Sequence, residues 1–143
     1  MRKSVFIASL VLVFAGLAAC SKNSTTSNAK TVANISGSYN IIALTAVFSG
    51  ISINLYDSLK PCEKDNLIQL NADLSAKFID AGTVCAPPED STGTWRLSSA
   101  GDTLTLAGSP NYIKSWDGKT LVLTTHEDVS GFPVVATTTL SKK

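Results

Sequence analysis

Residues 112–126 read YIKSWDGKTLVLTTH and hold the clearest local signal for the fold. Asp117-Gly118 is a pair favoured in two-residue β-hairpin turns, because such turns require residues that tolerate positive φ. The flanking runs, 112–116 and 120–126, are rich in aromatic, β-branched and apolar residues, as strands are. The segment therefore predicts two antiparallel strands joined by a tight turn.

The chain after residue 35 continues this pattern of short strands and turns. No segment keeps a helical period for three turns, and turn residues recur every ten to fifteen positions. Residues 51–59 are predicted as a strand end and one helical turn. Residues 81–90 are predicted as a loop, because Pro87-Pro88 exclude a central strand. Eight strands are predicted, separated by turns that include 108–110 and 131–133: 39–48, 67–70, 75–79, 92–97, 103–106, 112–116, 120–126 and 134–140.

The connections between these strands are too short for crossover helices, so sequential strands are predicted to be antiparallel neighbours. A meander of eight strands hides both of its edges when it closes on itself. We therefore predict an all-β fold, an up-and-down antiparallel eight-stranded barrel. The alternative is a β-sandwich. Against it, Cys62 and Cys85 flank one predicted hairpin and do not lie on strands that would face each other across two sheets.

The first twenty residues have the organisation of a secretory leader. Residues 1–3 (MRK) are positively charged, residues 4–15 are apolar, and residues 17–20 (LAAC) resemble a bacterial lipobox. The resemblance implies diacylglyceryl transfer to the Cys20 sulfur, cleavage before this residue and acylation of the new amino terminus. The alternative is an uncleaved signal anchor, but residues 4–19 number 16, fewer than the roughly 20 that a spanning helix requires.

The predicted organisation has three regions: a signal peptide in residues 1–19, lipidated Cys20 with a flexible linker in 20–34, and the β-barrel domain in 35–143. The linker SKNSTTSNAKTVAN lacks aromatic residues and periodicity, so it has almost nothing to bury. Membrane lipid is an expected partner through acylated Cys20. No acidic run follows this cysteine, so we expect a lipid-anchored protein of the cell envelope, at the outer membrane and facing the periplasm.

The number of cysteines predicts a disulfide bond. With Cys20 lipidated, Cys62 and Cys85 remain as one pair, and a secretory leader directs the chain to an oxidising compartment. The bridge would close about two dozen residues and stabilise the fold by about 3 kcal/mol. A redox or metal site is the alternative, but the chain has no CxxC spacing and its only histidine is His126.

Two similar motifs carry a resemblance to a family. Gly37-Ser38-Tyr39-Asn40-Ile41 and Gly93-Thr94-Trp95-Arg96-Leu97 share a Gly-hydroxyl-aromatic-polar-aliphatic pattern. Between them lie the first cysteine of the pair, an Asn-Ala-Asp turn and the second cysteine. This order resembles the small lipocalin-like domain of bacterial lipoproteins over residues 35–140, with Tyr39 in place of the tryptophan of the Gly-x-Trp opening. The family usually has glycine after Asn-Ala-Asp, where this chain has Leu74. Positive φ is energetically unfavourable for leucine, so either the turn type differs or the hairpin is looser.

Residues at i, i+2 spacing are predicted to point into the barrel interior. The aromatic residue two positions after Gly37 is expected to close the base of the barrel. These inward residues are candidates either for plain core or for the lining of a ligand site: Tyr39, Ile41, Ile68, Leu70, Phe78, Trp95, Leu97, Leu104, Leu106, Leu121 and Leu123.

Composition and charge argue against several functions. The net charge is +1, and loss of Arg2 and Lys3 with the leader would leave 10 basic against 11 acidic residues, or −1. That balance excludes a strongly basic nucleic-acid binder. His126, beside Glu127 and Asp128, is predicted to be a surface residue and not a catalytic base. No catalytic residue, cofactor or metal is expected, because paired catalytic carboxylates, a calcium loop and a phosphate-binding glycine loop are not evident.

Three functions are compatible with these expectations. The leading one is a non-enzymatic, membrane-anchored binding module for a small apolar ligand or for an envelope partner. The alternative is a structural or accessory lipoprotein of an envelope complex, with a filled barrel and no ligand. The third is an inhibitor or enzyme of the envelope. An eight-stranded barrel with strands of about 20 Å can be filled by its own side chains, so the first two differ in whether a cavity exists.

Overall fold

The computed structural model describes residues 28–88 and 90–143. The predicted signal peptide, Cys20 and the first part of the predicted linker lie outside these residues. Two single-turn α-helices, α1 (Val32–Ile35) and α2 (Pro61–Lys64), and a 3₁₀ turn at Tyr56–Ser58 accompany nine strands. The strands are β1 Gly37–Phe48, β2 Ile51–Asn54, β3 Leu67–Leu70, β4 Ser75–Ile79, β5 Ser91–Leu97, β6 Thr103–Leu106, β7 Ser109–Trp116, β8 Thr120–Val129 and β9 Phe132–Lys142.

The strands form a closed antiparallel barrel. From β3 to β9 each strand pairs with the next one in the chain, and β1 closes the barrel by pairing with β3 on one edge and β9 on the other. The barrel therefore has eight strands, as predicted, and the sandwich alternative is not what forms. The ninth strand, β2, lies outside the closed barrel and pairs with the distal half of β1.

Strand β2 was expected only as a strand end. It forms a hairpin with β1 because Ser49 and Gly50 both adopt positive φ, 47° and 80°, which is the geometry of a tight two-residue turn. Strands β7 and β9 also begin earlier than predicted, and each includes a proline that we had assigned to a turn. Pro110 and Pro133 each lie second in their strand, where the missing N–H is tolerated.

One end of the barrel is filled by side chains. Tyr39 and Trp95 are fully buried there, and α1 places Ile35 across the opening. The Tyr39 hydroxyl donates to the Ile35 carbonyl oxygen, and Trp95 Nε1 donates to the Asn71 carbonyl oxygen at 2.8 Å. The packed cluster consists of Ile35, Tyr39, Leu70, Ala76, Trp95, Leu104, Ile113, Trp116, Leu121, Leu123 and Leu140. The aromatic residue after Gly37 thus closes this end, as predicted.

Leu74 occupies the turn position where glycine was expected. Its φ is 69°, and its N–H donates to the Asn71 carbonyl oxygen at 3.0 Å. Asp73 holds the next residue, because its Oδ1 accepts from the Ser75 N–H at 2.9 Å. Leu74 therefore adopts the left-handed conformation that glycine would adopt here. The turn type does not differ, and the hairpin is not looser. Leucine in this conformation costs roughly 1–2 kcal/mol.

The predicted disulfide is present. Cys62 in α2 is bonded to Cys85 in the loop after β4, with their Cα atoms 5.3 Å apart. It fastens the segment between β2 and β3 to the loop between β4 and β5. All nine strands, the disulfide and the packed cluster lie within residues 28–143, so this segment contains the whole barrel. Within the part that the structure describes, no helix has the length and apolar character needed to cross a membrane.

Candidate functional site

The end of the barrel opposite Tyr39 and Trp95 is open and has an uneven rim. Strands β3 to β6 end near the rim, whereas β1, β8 and β9 are 12, 10 and 11 residues long and continue past it. Together with β2 they form a four-stranded sheet outside the closed barrel. We call this sheet the extension; it comprises residues 44–48, 51–54, 125–129 and 132–137.

A cavity of about 430 Å³ lies inside the open end, beneath the segment that leads into α2. Its walls come from the ends of β1, β3, β4 and β5, and Leu59 and Glu63 cover one side. The lining is mostly apolar, with one carboxylate, one amide and one hydroxyl. The lining residues are Ile41, Leu44, Leu59, Glu63, Asn66, Leu67, Ile68, Phe78, Ile79 and Ser91.

The inward residues expected from sequence divide between the cavity and the filled end. Ile41, Ile68 and Phe78 line the cavity. Leu97 and Leu106 are partly buried and pack against the filled end. The remaining six are buried within the packed cluster and do not line this cavity: Tyr39, Leu70, Trp95, Leu104, Leu121 and Leu123.

Seven lining residues were missed: Leu44, Leu59, Glu63, Asn66, Leu67, Ile79 and Ser91. Leu44 is inside because the β1–β9 register shifts between Ile41 and Ala43, so a strict alternation counted from Tyr39 places it outside. The sequence has no marker for this bulge. Leu59 and Glu63 come from the irregular segment before β3, for which periodicity gives no direction.

Glu63 is the one charged side chain among the described residues that line the cavity. It is fixed at the start of α2, where its Oε2 accepts from the Lys60 N–H at 2.8 Å and its Oε1 lies 3.1 Å from Lys60 Nζ. The backbone N–H of Lys60, followed by its side chain, holds the pKa of Glu63 below the usual value. The carboxylate is therefore ionised at neutral pH, with its partner ammonium 66% exposed on the solvent side.

The rim beside Glu63 is held by side-chain to backbone hydrogen bonds as well as by the disulfide. Asn66 Oδ1 accepts from the Ala81 N–H at 3.2 Å, and Asp90 Oδ1 accepts from the Asp80 N–H at 2.8 Å. The Asp80 carboxylate accepts from the Cys85 N–H at 2.9 Å. Residues 80, 81 and 85 of this loop are thus held in place, so this side of the cavity is formed before any ligand arrives.

One face of the extension is apolar and exposed. Residues opposite each other in antiparallel strands share a face, so the pairs Phe48–Ile51, Ala46–Ile53, Phe48–Val134 and Val129–Phe132 define it. The Phe48 and Phe132 rings are in contact, with centroids 5.5 Å apart. Ile51 is 65% exposed and Phe132 53%. Thr125 and Glu127 of β8, opposite Ala136 and Val134, lie on the same side. We call the apolar part of this surface the apolar face; it consists of Leu44, Ala46, Phe48, Ile51, Ile53, Val129, Phe132, Val134 and Ala136.

Residues considered for catalysis or metal binding do not assemble into a site in the described part of the chain. His126 is exposed on β8, and its ring meets the edge of the Tyr112 ring with centroids 5.6 Å apart. Among residues 28–88 and 90–143 there is no group of three or more histidine, cysteine, aspartate or glutamate side chains placed to hold a metal ion.

Comparison with known proteins found no match. No family model fits the chain, and neither a curated protein nor a solved structure matches it. The function is therefore proposed below from the chain's own residues and geometry.

Proposed function

We propose that this protein is a membrane-anchored lipoprotein whose lipocalin-like barrel binds a small apolar molecule without catalysing a reaction. The observation that carries the proposal is the cavity of about 430 Å³ at the open end. Ligand sites are mostly apolar clefts of roughly 300–1,000 Å³ with a few placed polar groups. Seven apolar side chains with Glu63, Asn66 and Ser91 match that description.

The division of the barrel supports a binding role over a purely structural one. A barrel of eight strands can be filled completely by its own side chains. Here the filled end, with Tyr39 and Trp95, supplies the stability, while Ile41, Ile68 and Phe78 face unfilled space. The rim is already fixed by the disulfide, so a ligand would not have to order it.

The anchoring part of the proposal is supported by the leader. Its positive start, its apolar segment and LAAC at residues 17–20 are what lipid transfer to Cys20 requires. Two or three acyl chains hold a protein on a membrane essentially permanently. Replacing Cys20 with alanine in the full chain should prevent acylation, and the intact mass should show an unmodified protein. Masses that differ only by the sulfur atom lost in the substitution, together with the same membrane fraction for the wild type and Cys20→Ala, would refute the anchor.

Ligand binding is tested with a neutral fluorescent probe, N-phenylnaphthylamine, and a chain of residues 28–143. We expect saturable binding with one probe per barrel. Ser91→Trp should fill the cavity and lower the affinity at least tenfold. Thr92→Trp is the matched control, because Thr92 is the next residue of β5 and points to its other side.

A second readout uses protein purified from membranes. Native mass spectrometry should detect a co-purified apolar molecule that is absent from Ser91→Trp. Absence of saturable probe binding together with absence of a co-purified molecule would favour the accessory role in an envelope complex, with a barrel that holds no ligand.

A further inference from the structure

The cavity and the apolar face share a residue. Leu44 lines the cavity and is also the first residue of the apolar face on β1, followed on the same side by Ala46 and Phe48. From Leu44 to Phe48 the strand rises about 13 Å at about 3.3 Å per residue. The cavity wall is therefore continuous with an apolar track that leads out to the tips of the extension.

The track carries no charge along β2, β1 and β9. Its side chains there are leucine, alanine, phenylalanine, isoleucine and valine, and the charged Glu127 lies at its β8 margin, opposite Val134. An uncharged chain can lie on such a surface without leaving a buried polar group unpaired.

The apolar face is small for a protein partner. It has nine side chains, whereas a stable protein interface uses about 20–30 residues on each side. The most exposed side chains of the apolar face are nevertheless close together in the extension. Three of them are more than half exposed: Ile51, Phe132 and Val129. Clustered exposed apolar residues mark a surface that binds a protein, a membrane or an apolar ligand.

We infer that the apolar face is the outer part of the same binding site, and that it holds the distal half of an elongated, uncharged hydrocarbon chain whose proximal half lies in the cavity. This inference rests on the proposed function and specifies its ligand class. The chain passes Leu44 at the rim and lies against Phe48 and Phe132.

The test measures how affinity depends on chain length. Straight-chain alcohols from octanol to tetradecanol are titrated into a solution of the chain of residues 28–143. The readout is displacement of bound N-phenylnaphthylamine. Each added methylene should raise the affinity about fourfold while it enters the cavity. The gain should continue at about twofold per methylene along the half-open face.

Two variants separate the track from the cavity. Phe132→Ser removes a ring at the tip of the extension and should weaken tetradecanol binding about tenfold while changing octanol binding less than twofold. Phe48→Ser should do the same, and Val47→Ser is its matched control. Val47 and Phe48 are adjacent and both 37% exposed, but Val47 points to the other face.

Affinities that stop rising with chain length and are unchanged in Phe132→Ser would overturn the inference and leave the cavity as the whole site. Failure of every alcohol to displace the probe would overturn the proposed function as well. Sedimentation is run on the same samples. A concentration-dependent dimer that Phe132→Ser dissociates would show that a second copy covers the face, and this would also overturn the inference.

Discussion

Replacing Tyr39 with phenylalanine removes one hydroxyl group from the filled end of the barrel. Tyr39 is fully buried, and its hydroxyl donates to the carbonyl oxygen of Ile35 in α1. The ring remains in place in the variant, but the Ile35 carbonyl loses this donor in an apolar surrounding. Leaving a buried acceptor unpaired costs about 1–3 kcal/mol, so we expect the free energy of unfolding to fall by about 2 kcal/mol at neutral pH.

The same substitution has a distinctive pH dependence. Burial raises the pKa of the Tyr39 phenol above its usual value near 10, so the folded protein holds the proton when the unfolded chain has lost it. Below pH 10 both states are protonated and the contribution to stability is constant. Above pH 10 the wild type should lose about 1.4 kcal/mol per pH unit through this group, and Tyr39→Phe should not. The two proteins should therefore become equally stable near pH 11.5.

Urea denaturation between pH 7 and pH 12 measures both effects. Burial lowers the pKa of Lys142, which adds a change of opposite sign below about pH 10.5, but this residue is present in both proteins and cancels in their difference. Tyr112→Phe is the control, because Tyr112 is exposed and its substitution should leave the free energy of unfolding at neutral pH unchanged. A constant difference from pH 7 to pH 12 would refute the assignment of Tyr39 as a buried, neutral donor.

Three further predictions concern stability and are measured by urea denaturation. Replacing Cys62 and Cys85 together with alanine should lower the free energy of unfolding by about 3 kcal/mol, since the bond spans 23 residues, and an unchanged value would contradict the role of the bridge at the rim. Trp95→Phe should cost about 2 kcal/mol through the lost hydrogen bond and the space left in the packed cluster, and a loss under 0.5 kcal/mol would contradict that packing. Gly93→Ala should leave the free energy of unfolding unchanged or raise it, because the added Cβ would make only ordinary contacts. Gly101→Ala should lower the free energy of unfolding, because Gly101 has a φ of 69°. A larger loss for Gly93→Ala than for Gly101→Ala would refute this reasoning.

The barrel was predictable because its signals are local. A tight turn at residues 117–119 joins β7 to β8 as expected, although only Gly118 of the Asp117-Gly118 pair adopts positive φ. The Asp117 carboxylate accepts from the backbone N–H groups of Lys119 and Thr120. Short turns of this kind force antiparallel neighbours, and closure then follows from the need to pair both edges. The Cys62–Cys85 bond was predictable for a different reason, namely that two cysteines were left once Cys20 was assigned to the leader.

The cavity was harder to predict because it depends on where the strands end and on the β-bulge in β1. The bulge after Ile41 turns Leu44 inward, and a period of two cannot anticipate it. Residues 51–54 looked like the end of one strand, so the extension and its apolar face were not foreseen. Which inward side chains meet and which leave space is set by the three-dimensional packing of the two ends, as the contrast between Trp95 and Phe78 illustrates.

The chain enters the barrel at the end opposite the cavity, and this has a consequence for ligand access. The helix α1 and the start of β1 lie at the plugged end, and Lys30 packs against Gly101 in the loop that closes the same end. In the lipoprotein that we propose, the tether would therefore join the barrel at its plugged end, and the mouth of the cavity would lie at the other end. A ligand would then enter the barrel at the end away from the point where the tether is attached.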